Sequence, residues 1–512
     1  MLKKILFILV GMVAIAVLVG YLILFTEWGN KFIASYIEKK INHNEHYLSV
    51  KTLKLKFNSL DFKAQANDNS VLILKGNFSL LKQSLDFDYH IDIKDLRLLK
   101  GLIHYPLRGA ITTWGSIKGH RKALKIQGVS NIAQSNTSYT ALLNHFKLSG
   151  LSLNLQNATL EDLLYLLNYP LYANARVSLQ ANLNSLAPMQ GHLKLTTNNA
   201  QINTALINST FNLNLKDTLF FNLSHSSDFK EYKAISDTTL ISSLAHFKAL
   251  KSEYLFPTLE FNAPYTLEVP DLAKLQGIIN HKLKGALTLK GNIEQKPKLL
   301  KVSGHSNLLD GTLTFTLLNK HLNAHFSDIS TLKALDLLNY PKFFKSIANA
   351  DLDYDLSSKQ GTLNAHLKNA KFLKNQFSDF LYSFSKFDIT KEIYNDVNLK
   401  SQINQQRLLS DLNMKSPLTQ LSINNGLLDL STKHMDMLMN AEISKFIFKM
   451  KLQGNIHQPK FSLFLNEKAL QQNLQQGLKE MLKNDTLKKG LDNLLKDDKL
   501  KEKLQKGIKG LF

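Results

Sequence analysis

An alternation of apolar and polar residues with a period of two recurs along this chain of 512 residues. In its first clear stretch, Leu53, Leu55 and Phe57 alternate with Lys54 and Lys56. The pattern returns at residues 60–64, 177–183, 211–215, 313–317, 352–356, 363–367 and 461–465. Such alternation is typical of β-strands with one apolar and one polar face, and intervening Lys-Gly-Asn, Asp-Gly and Asn-Gly sequences predict hairpin turns. The sequence therefore predicts a mainly β, antiparallel fold over residues 47–466.

An internal duplication is the second constraint. Residues 89–117 align with residues 265–293 at a constant spacing of 176 positions, and Leu-Leu-Asn-Tyr-Pro occurs at both 166–170 and 337–341. Matching pairs in the first block include Tyr89/Tyr265, Asp95/Asp271, Leu96/Leu272, Gly101/Gly277, Gly109/Gly285 and Gly115/Gly291. A short helix is predicted before each Asn-Tyr-Pro, with Thr159 as the N-cap of the first and Ser330 or Thr331 as that of the second. Repeats at about 86–200 and 262–372 predict a sheet that extends by addition of strands.

The N-terminal segment from Ile5 to Phe25 is uncharged and apolar. Its length corresponds to roughly 31 Å of helix, close to a hydrocarbon thickness of about 30 Å. No Ala-x-Ala site follows, so the segment predicts an uncleaved, single-pass transmembrane anchor at residues 5–25. Lys3 and Lys4 precede it, so residues 1–4 are predicted to be a cytoplasmic tip, the rest exported, and Trp28 interfacial.

Two further segments have helical spacing. Residues 26–46 predict a juxtamembrane helix. Residues 467–512 have leucines mostly three or four positions apart, which predicts an amphipathic helical tail. This tail is interpreted either as a helix docked on the end of the sheet or as a plug, partner contact or membrane-surface helix.

Composition and motifs exclude several classes of function. Cysteine is absent, which rules out disulfides, Cys-ligated zinc and thiol nucleophiles. No phosphate-binding loop, zinc-protease motif or serine nucleophile elbow occurs, so neither an enzyme nor a cofactor is expected. His321 with His325, and Asp351 with Asp353 and Asp355, are interpreted as solvated faces of strands and not as metal sites. The net charge of +22 comes from dispersed lysines without a nucleic-acid motif, which favours proximity to anionic lipid over nucleic acid.

The apolar face of such a sheet must be covered by something. It can meet a second apolar face in a sandwich, or it can remain open as a curved sheet whose apolar face holds lipid chains. Periodicity alone does not separate these two architectures.

The chain resembles the AsmA/TamB-like family of envelope proteins. The likeness rests on the anchor followed by amphipathic strands, on residues 157–183 and 330–356, on the strand–Gly–Pro–strand sequence at 452–463, and on the terminal Lys-Gly-Leu-Phe. It implies an elongated, curved antiparallel β-groove with short inserted helices, anchored in the inner membrane with the bulk of the chain periplasmic. It further implies transport of phospholipid toward the outer membrane, with a possible outer-membrane or periplasmic protein partner.

Candidate lining residues of this groove are the alternating apolar ones. They are Leu53, Leu55, Phe57, Leu287, Leu289, Leu313, Phe315, Leu317, Leu352, Tyr354 and Leu356. The alternative function is a non-transport scaffold or chaperone for outer-membrane protein assembly, which would offer strand edges to its clients.

Overall fold

The computed structural model describes residues 20–21, 24–41, 48–99, 105–186, 188–444 and 446–464. The predicted tip at residues 1–4, Ile5 with most of the predicted anchor, and the predicted tail at 467–512 lie outside these ranges. Among the described residues, no helix has the length and apolar character needed to span a membrane. The chain divides into two compact units, Met1–Pro264 and Tyr265–Phe512.

The described residues contain 26 β-strands, which confirms the prediction of a mainly β fold. The first unit contains β1 (Leu48–Leu55), β2 (Ser59–Ala66), β3 (Val71–Ser79), β4 (Ser84–Ile93), β5 (Ile111–His120), β6 (Ala123–Ser130), β7 (Asn136–Asn144), β8 (Lys147–Thr159), β9 (Ala173–Leu186), β10 (Met189–Ile202), β11 (Phe220–Glu231), β12 (Lys233–Ser242) and β13 (His246–Leu255). The division between the units falls within β14 (Glu260–Val269). The second unit continues with β15 (Leu287–Lys296), β16 (Leu299–Leu308), β17 (Gly311–Leu318), β18 (His321–Ser330), β19 (Phe344–Asp355), β20 (Gln360–Phe372), β21 (Asp396–Asn404), β22 (Arg407–Lys415), β23 (Thr419–Asp429), β24 (His434–Ile443), β25 (Phe446–Asn455) and β26 (Gln458–Phe464).

Each strand pairs antiparallel with the next one in sequence, from β1 to β13 in the first unit and from β15 to β26 in the second. Within the described part of either unit, no ladder returns from the last of these strands to the first, so each sheet is open. The α-helices are α1 (Glu27–Ile41), α2 (Leu160–Leu166), α3 (Thr204–Phe211), α4 (Gln276–Ile279), α5 (Thr331–Leu337) and α6 (Gln376–Ser385). Short 3₁₀ helices occur at Leu96–Leu99, Ile132–Gln134, Leu272–Leu275 and Ile389–Lys391.

Helix α1 lies against the edge strand β1, inside the segment predicted to be a juxtamembrane helix. The Asn30 side chain accepts a hydrogen bond from the backbone N–H of Leu55 at 2.9 Å and donates one to its carbonyl oxygen at 3.2 Å. The Glu38 carboxylate accepts from the backbone N–H of Val50 at 2.6 Å. Because these side chains occupy backbone groups that an added strand would need, α1 protects this edge from further pairing.

The two predicted repeats share their local structure. Strands β4 and β5 lie 176 positions before β14 and β15 at both ends, and α2 lies 171 positions before α5. Both of these helices end at the asparagine of Asn-Tyr-Pro, where Asn168 and Asn339 have φ of 60° and 59°. The backbone N–H of the following tyrosine donates to the carbonyl oxygen five residues earlier, at 2.8 Å in each copy. This pattern is a Schellman motif, so the asparagine ends the helix before the proline is reached.

The N-cap positions are where the sequence predicts them, but the side chains there do not cap the helices. Thr159 and Ser330 are the N-caps of α2 and α5, and neither side chain bonds to a helix N–H. The Thr159 hydroxyl instead donates to the Asp162 carboxylate at 2.5 Å. The Thr159 side chain thus binds a carboxylate of the first turn. The negative charge of that carboxylate is stabilised by the positive end of the helix dipole.

Two local predictions are wrong. The alternation at residues 211–215 predicts a strand, but α3 extends to Phe211 and irregular chain follows, because Asn208 accepts from the N–H of Leu215 at 2.9 Å. Lys-Gly-Asn and Asn-Gly were expected to mark turns, yet Gly76, Gly291 and Gly426 lie inside β3, β15 and β23. At Gly291 the reason is a close approach of the neighbouring strand, where a Cβ would lie 1.9 Å from the carbonyl oxygen of Ser303.

Among the described residues, complete burial of large side chains is confined to one segment. All eight large side chains that are less than 2% exposed belong to residues 381–450. In the first unit, the described residues with 0% exposure are alanines only, at positions 64, 158 and 200. A sandwich would bury large side chains along its whole length. The described sheet of the first unit is therefore a single open layer.

Acid will destabilise the second unit through Asp429, which lies at the end of β23. Its carboxylate accepts hydrogen bonds from the Ser431 hydroxyl at 2.5 Å, from the Thr432 N–H at 3.1 Å and from the Arg407 Nε at 3.0 Å. These bonds, that from Ser431 foremost, hold the pKa of Asp429 well below its ordinary value. A depressed pKa stabilises the folded state above the ordinary carboxyl pKa of about 4, and this contribution is lost as the pH falls below it. We expect the urea midpoint of the wild type to fall between pH 5 and pH 2 by more than that of Asp429→Asn; equal falls would contradict the assignment.

Candidate functional site

The apolar side chains of the first unit form continuous rows across its strands, because residues paired across a ladder share one face of the sheet. The central row is Leu53, Phe62, Leu74, Tyr89, Gly115, Gly128, Tyr139, Leu153, Ala181 and Leu193, one residue from each of β1 to β10. A flanking row begins with Leu55 and Leu60 and stays apolar or glycine as far as Tyr254 in β13. We call this side of the sheet the apolar face.

The second unit has an equivalent face. Its central row is Gly291, Gly304, Phe315, Ala324, Leu352 and Leu363, from β15 to β20. The rows on either side contain Leu313 paired with Phe326, and Leu317 paired with Leu322, which in turn pairs with Tyr354. The predicted lining residues of β17 and β19 are thus brought together on one face.

Most of the candidate lining residues lie on these apolar faces. Leu53 and Leu55 are in β1, Leu287 and Leu289 in β15, Leu313, Phe315 and Leu317 in β17, and Leu352 and Tyr354 in β19, all half-buried. Phe57 and Leu356 lie just beyond strands and are 58% and 46% exposed. The Phe57 ring lies 5.9 Å from that of the predicted anchor residue Phe25, and Trp28 in α1 is 68% exposed. These three aromatic residues belong to the α1 edge of the sheet and not to the rows.

Tyr89 lies across the apolar face of the first unit, above Gly115 and Gly128, for which the sequence predicted no structural role. The Tyr89 hydroxyl lies 2.5 Å from that of Tyr139, and the Tyr139 hydroxyl lies 2.6 Å from Thr113 Oγ1. Thr113 in turn donates to the carbonyl oxygen of Val129 at 2.8 Å, so all three hydroxyl protons of this chain have an acceptor. Burial foremost, and then the bond with Tyr139, raise the pKa of Tyr89, which keeps the hydroxyl neutral.

Glycine is required beneath this tyrosine. A Cβ on Gly128 would lie 2.3 Å from the Tyr89 hydroxyl oxygen. The duplicated residues repeat the arrangement, since a Cβ on Gly304 would lie 2.8 Å from the hydroxyl oxygen of Tyr265. Tyr265 and Gly304 each follow their first-unit counterparts by 176 positions. The sequence signal that could have revealed this contact is that the tyrosine and the glycine both recur after the same number of positions.

The central row of each unit contains a pair of serines at equivalent strands, β11 and β12 in the first unit and β21 and β22 in the second. In the first unit Leu193 is followed by Ser227 in β11 and Ser236 in β12, whose hydroxyls lie 2.7 Å apart. In the second unit the corresponding pair is Ser401 and Ser410, with hydroxyls 2.8 Å apart. The apolar alternation of the sequence gave no indication of these hydroxyl pairs.

In the first unit, Leu160 and Leu163 of α2 pack against the buried residues Leu155 and Val177 of the apolar face. The face is covered more completely at strands β20 to β26 of the second unit. Leu381 of α6 is fully buried there in a cluster with Tyr394, Met414 and Ile443, and the Phe380 ring lies 5.7 Å from that of Phe461. Helix α3 follows β10 as α6 follows β20, yet it has no buried residue. At this position of the repeat, the helix of the second unit (α6) packs onto the apolar face, whereas the helix of the first unit (α3) has no buried residue.

The polar face holds the histidines and aspartates that were considered as metal ligands. His325 Nδ1 lies 2.6 Å from Asp351 Oδ1, and His321 Nε2 lies 3.0 Å from Asp353 Oδ2, beside a shallow cleft of about 440 Å³. No group of three or more histidine, aspartate or glutamate side chains in the described ranges is arranged to hold a metal ion. These pairs are cross-strand contacts on the solvated side of the sheet.

Comparison with known proteins adds no relative: no family model, no curated protein and no solved structure matches the chain.

Proposed function

We propose that this chain carries phospholipid along its apolar face, from an inner-membrane anchor toward the outer membrane, and so supports the integrity of the envelope. The observation that carries the proposal is the set of half-buried apolar rows, which run from strand to strand in the first unit, where α2 packs against the face at β8 to β10. Soluble monomers rarely expose a continuous apolar patch of more than a few hundred Å² unless it binds something.

Acyl chains suit such a surface better than a folded partner does. Side-chain size varies along the rows, from glycine and alanine to leucine and tyrosine, and a flexible chain adapts to that relief. Each methylene moved from water to an apolar surface contributes about 0.8 kcal/mol, without any need for directional contacts. The lysines of the opposite face and of the sheet margins would then lie near anionic headgroups, as the net charge of +22 suggests.

The scaffold alternative needs a free strand edge. Helix α1 occupies backbone groups of β1 through Asn30 and Glu38, which leaves this edge poorly suited to accept a client strand. At the β1 edge, the described residues therefore support the transport proposal more than the scaffold proposal.

The test places a benzophenone amino acid at Phe315 on the apolar face, and separately at Thr314 on the polar face of the same strand, in living cells. Phospholipid adducts are expected at Phe315 and not at Thr314, because neighbouring residues of a strand point to opposite faces. Mass spectrometry of the purified full chain identifies the adducts. Absence of lipid at both positions would contradict the proposal, and protein adducts at Phe315 would favour the scaffold instead.

A further inference from the structure

The apolar face of the first unit contains one cluster of polar side chains with unused hydrogen-bond donors. We define the His225 cluster as His225, Ser227, Ser236, Thr238 and Ser252, on neighbouring strands β11, β12 and β13. Ladder pairing places Ser227, Ser236 and Ser252 in one row, and His225 opposite Thr238 in the next. Ser252 is 3% exposed, and its hydroxyl oxygen has no hydrogen-bond partner.

The His225 cluster has more donor protons than internal hydrogen bonds. Thr238 Oγ1 lies 2.9 Å from His225 Nδ1, Ser227 Oγ lies 2.8 Å from His225 Nε2, and Ser227 Oγ lies 2.7 Å from Ser236 Oγ. Burial lowers the pKa of His225, so the ring is neutral and carries one N–H. Four hydroxyls and this N–H supply five protons to three internal bonds, whereas every proton of the Tyr89 chain is used.

The cluster is specific to the first unit. The residues that stand 174 positions after His225 and Thr238 are Leu399 and Leu412, while Ser401 and Ser410 keep the serine pair. The second copy thus shows that leucines fit these positions of the sheet. A half-buried imidazole and threonine in the first copy forgo that apolar contact, which points to a role in binding.

We propose that the His225 cluster binds the ester carbonyl oxygens of a diacyl glycerolipid lying on the apolar face, an inference that rests on the proposed function. Same-face neighbours of the cluster are Leu193, Leu195, Leu223, Phe229, Leu240 and Ala249, none of which is charged. The charged residues of these strands, such as Lys194 and Asp228, alternate onto the polar face. Neutral donors in apolar surroundings match a neutral acceptor, whereas a phosphate would require a cation.

The test compares two lipids that differ only in the carbonyl groups. A fluorescent diacyl phosphatidylglycerol bound to the full chain in amphipol is displaced by unlabelled diester lipid or by the diether lipid with the same headgroup and chains. The diester is expected to compete about fivefold better, as one additional hydrogen bond would provide. In a variant that replaces all five cluster residues (His225→Leu, Thr238→Leu, Ser227→Ala, Ser236→Ala and Ser252→Ala) no cluster donor remains, so this ratio is expected to fall to about one.

The variants separate the outcomes. Ser252→Ala removes only a hydroxyl group, and it is expected to lower the ratio without altering the leucine contacts. Thr314→Ala, on the polar face, is the control and is expected to leave the ratio unchanged. A ratio of one in the wild type, or an unchanged ratio in both cluster variants, would overturn the His225 proposal and leave the proposed function standing. Binding of neither lipid to the wild type would overturn the proposed function itself.

Discussion

Replacing Leu381 with alanine will lower the stability of the second unit by about 3 kcal/mol, the middle of the range for buried leucines. Leu381 is 0% exposed and lies at the centre of the cluster that joins α6 to strands β20 to β26. Truncation leaves a cavity that neighbouring side chains cannot fill, because Tyr394 is itself fixed by the bond that Thr419 Oγ1 donates to its hydroxyl at 2.6 Å. Hydrogen exchange of the full chain, followed by mass spectrometry, is the measurement, since it reports residues 396–464 separately from the first unit.

Tyr382→Ala is the matched control for Leu381→Ala. Tyr382 is the next residue of the same helix and is 52% exposed, so its truncation will change protection of β21 to β26 by less than about 0.5 kcal/mol. If Leu381→Ala leaves the protection of these strands as high as Tyr382→Ala does, α6 does not cover the sheet as described. Loss of protection in residues 48–130 with Leu381→Ala would contradict the confinement of this cluster to the second unit.

Gly291→Ala will cost at least about 3 kcal/mol by forcing β15 and β16 apart. A Cβ at Gly291 would lie 1.9 Å from the carbonyl oxygen of Ser303 and 2.7 Å from the Cα of Gly304. Both are backbone atoms, so relief requires the ladder to separate, and overpacking against backbone exceeds the usual 1–3 kcal/mol. Gly115→Ala will behave alike in the first unit, where the corresponding distance to the carbonyl oxygen of Gln127 is 2.0 Å.

Thr288→Ala is the control for Gly291→Ala, because Thr288 is an exposed residue of the same strand. Urea unfolding followed by circular dichroism measures the midpoint of each variant, and hydrogen exchange locates the change to β15–β17. Equal midpoints for Gly291→Ala and Thr288→Ala would show that the two strands do not approach as closely as described.

The sequence predicts which residues of a strand share a face, but it does not predict which residues of neighbouring strands come into contact. Alternation predicted the strands that hold Leu313, Phe315 and Leu317, because a side chain reverses direction at every residue of a strand whatever its surroundings. The Lys-Gly-Asn turn signal misassigned Gly291, because a glycine inside a strand and a glycine in a turn have the same local signature. Only the residue on the neighbouring strand distinguishes them.

The sequence by itself determined that the chain is mainly β, that it is duplicated, and which side chains share a face, because these depend on periods of two residues and on spacings along the chain. Tertiary structure alone decided that α6 covers the apolar face at β20 to β26, whereas in the first unit α2 packs on this face at β8 to β10. It also decided that Tyr89 crosses Gly128 and that Ser227 contacts both His225 and Ser236 on an apolar surface. Each of these contacts joins residues of different strands or helices, and ladder register, which local pattern leaves free, sets which of them meet.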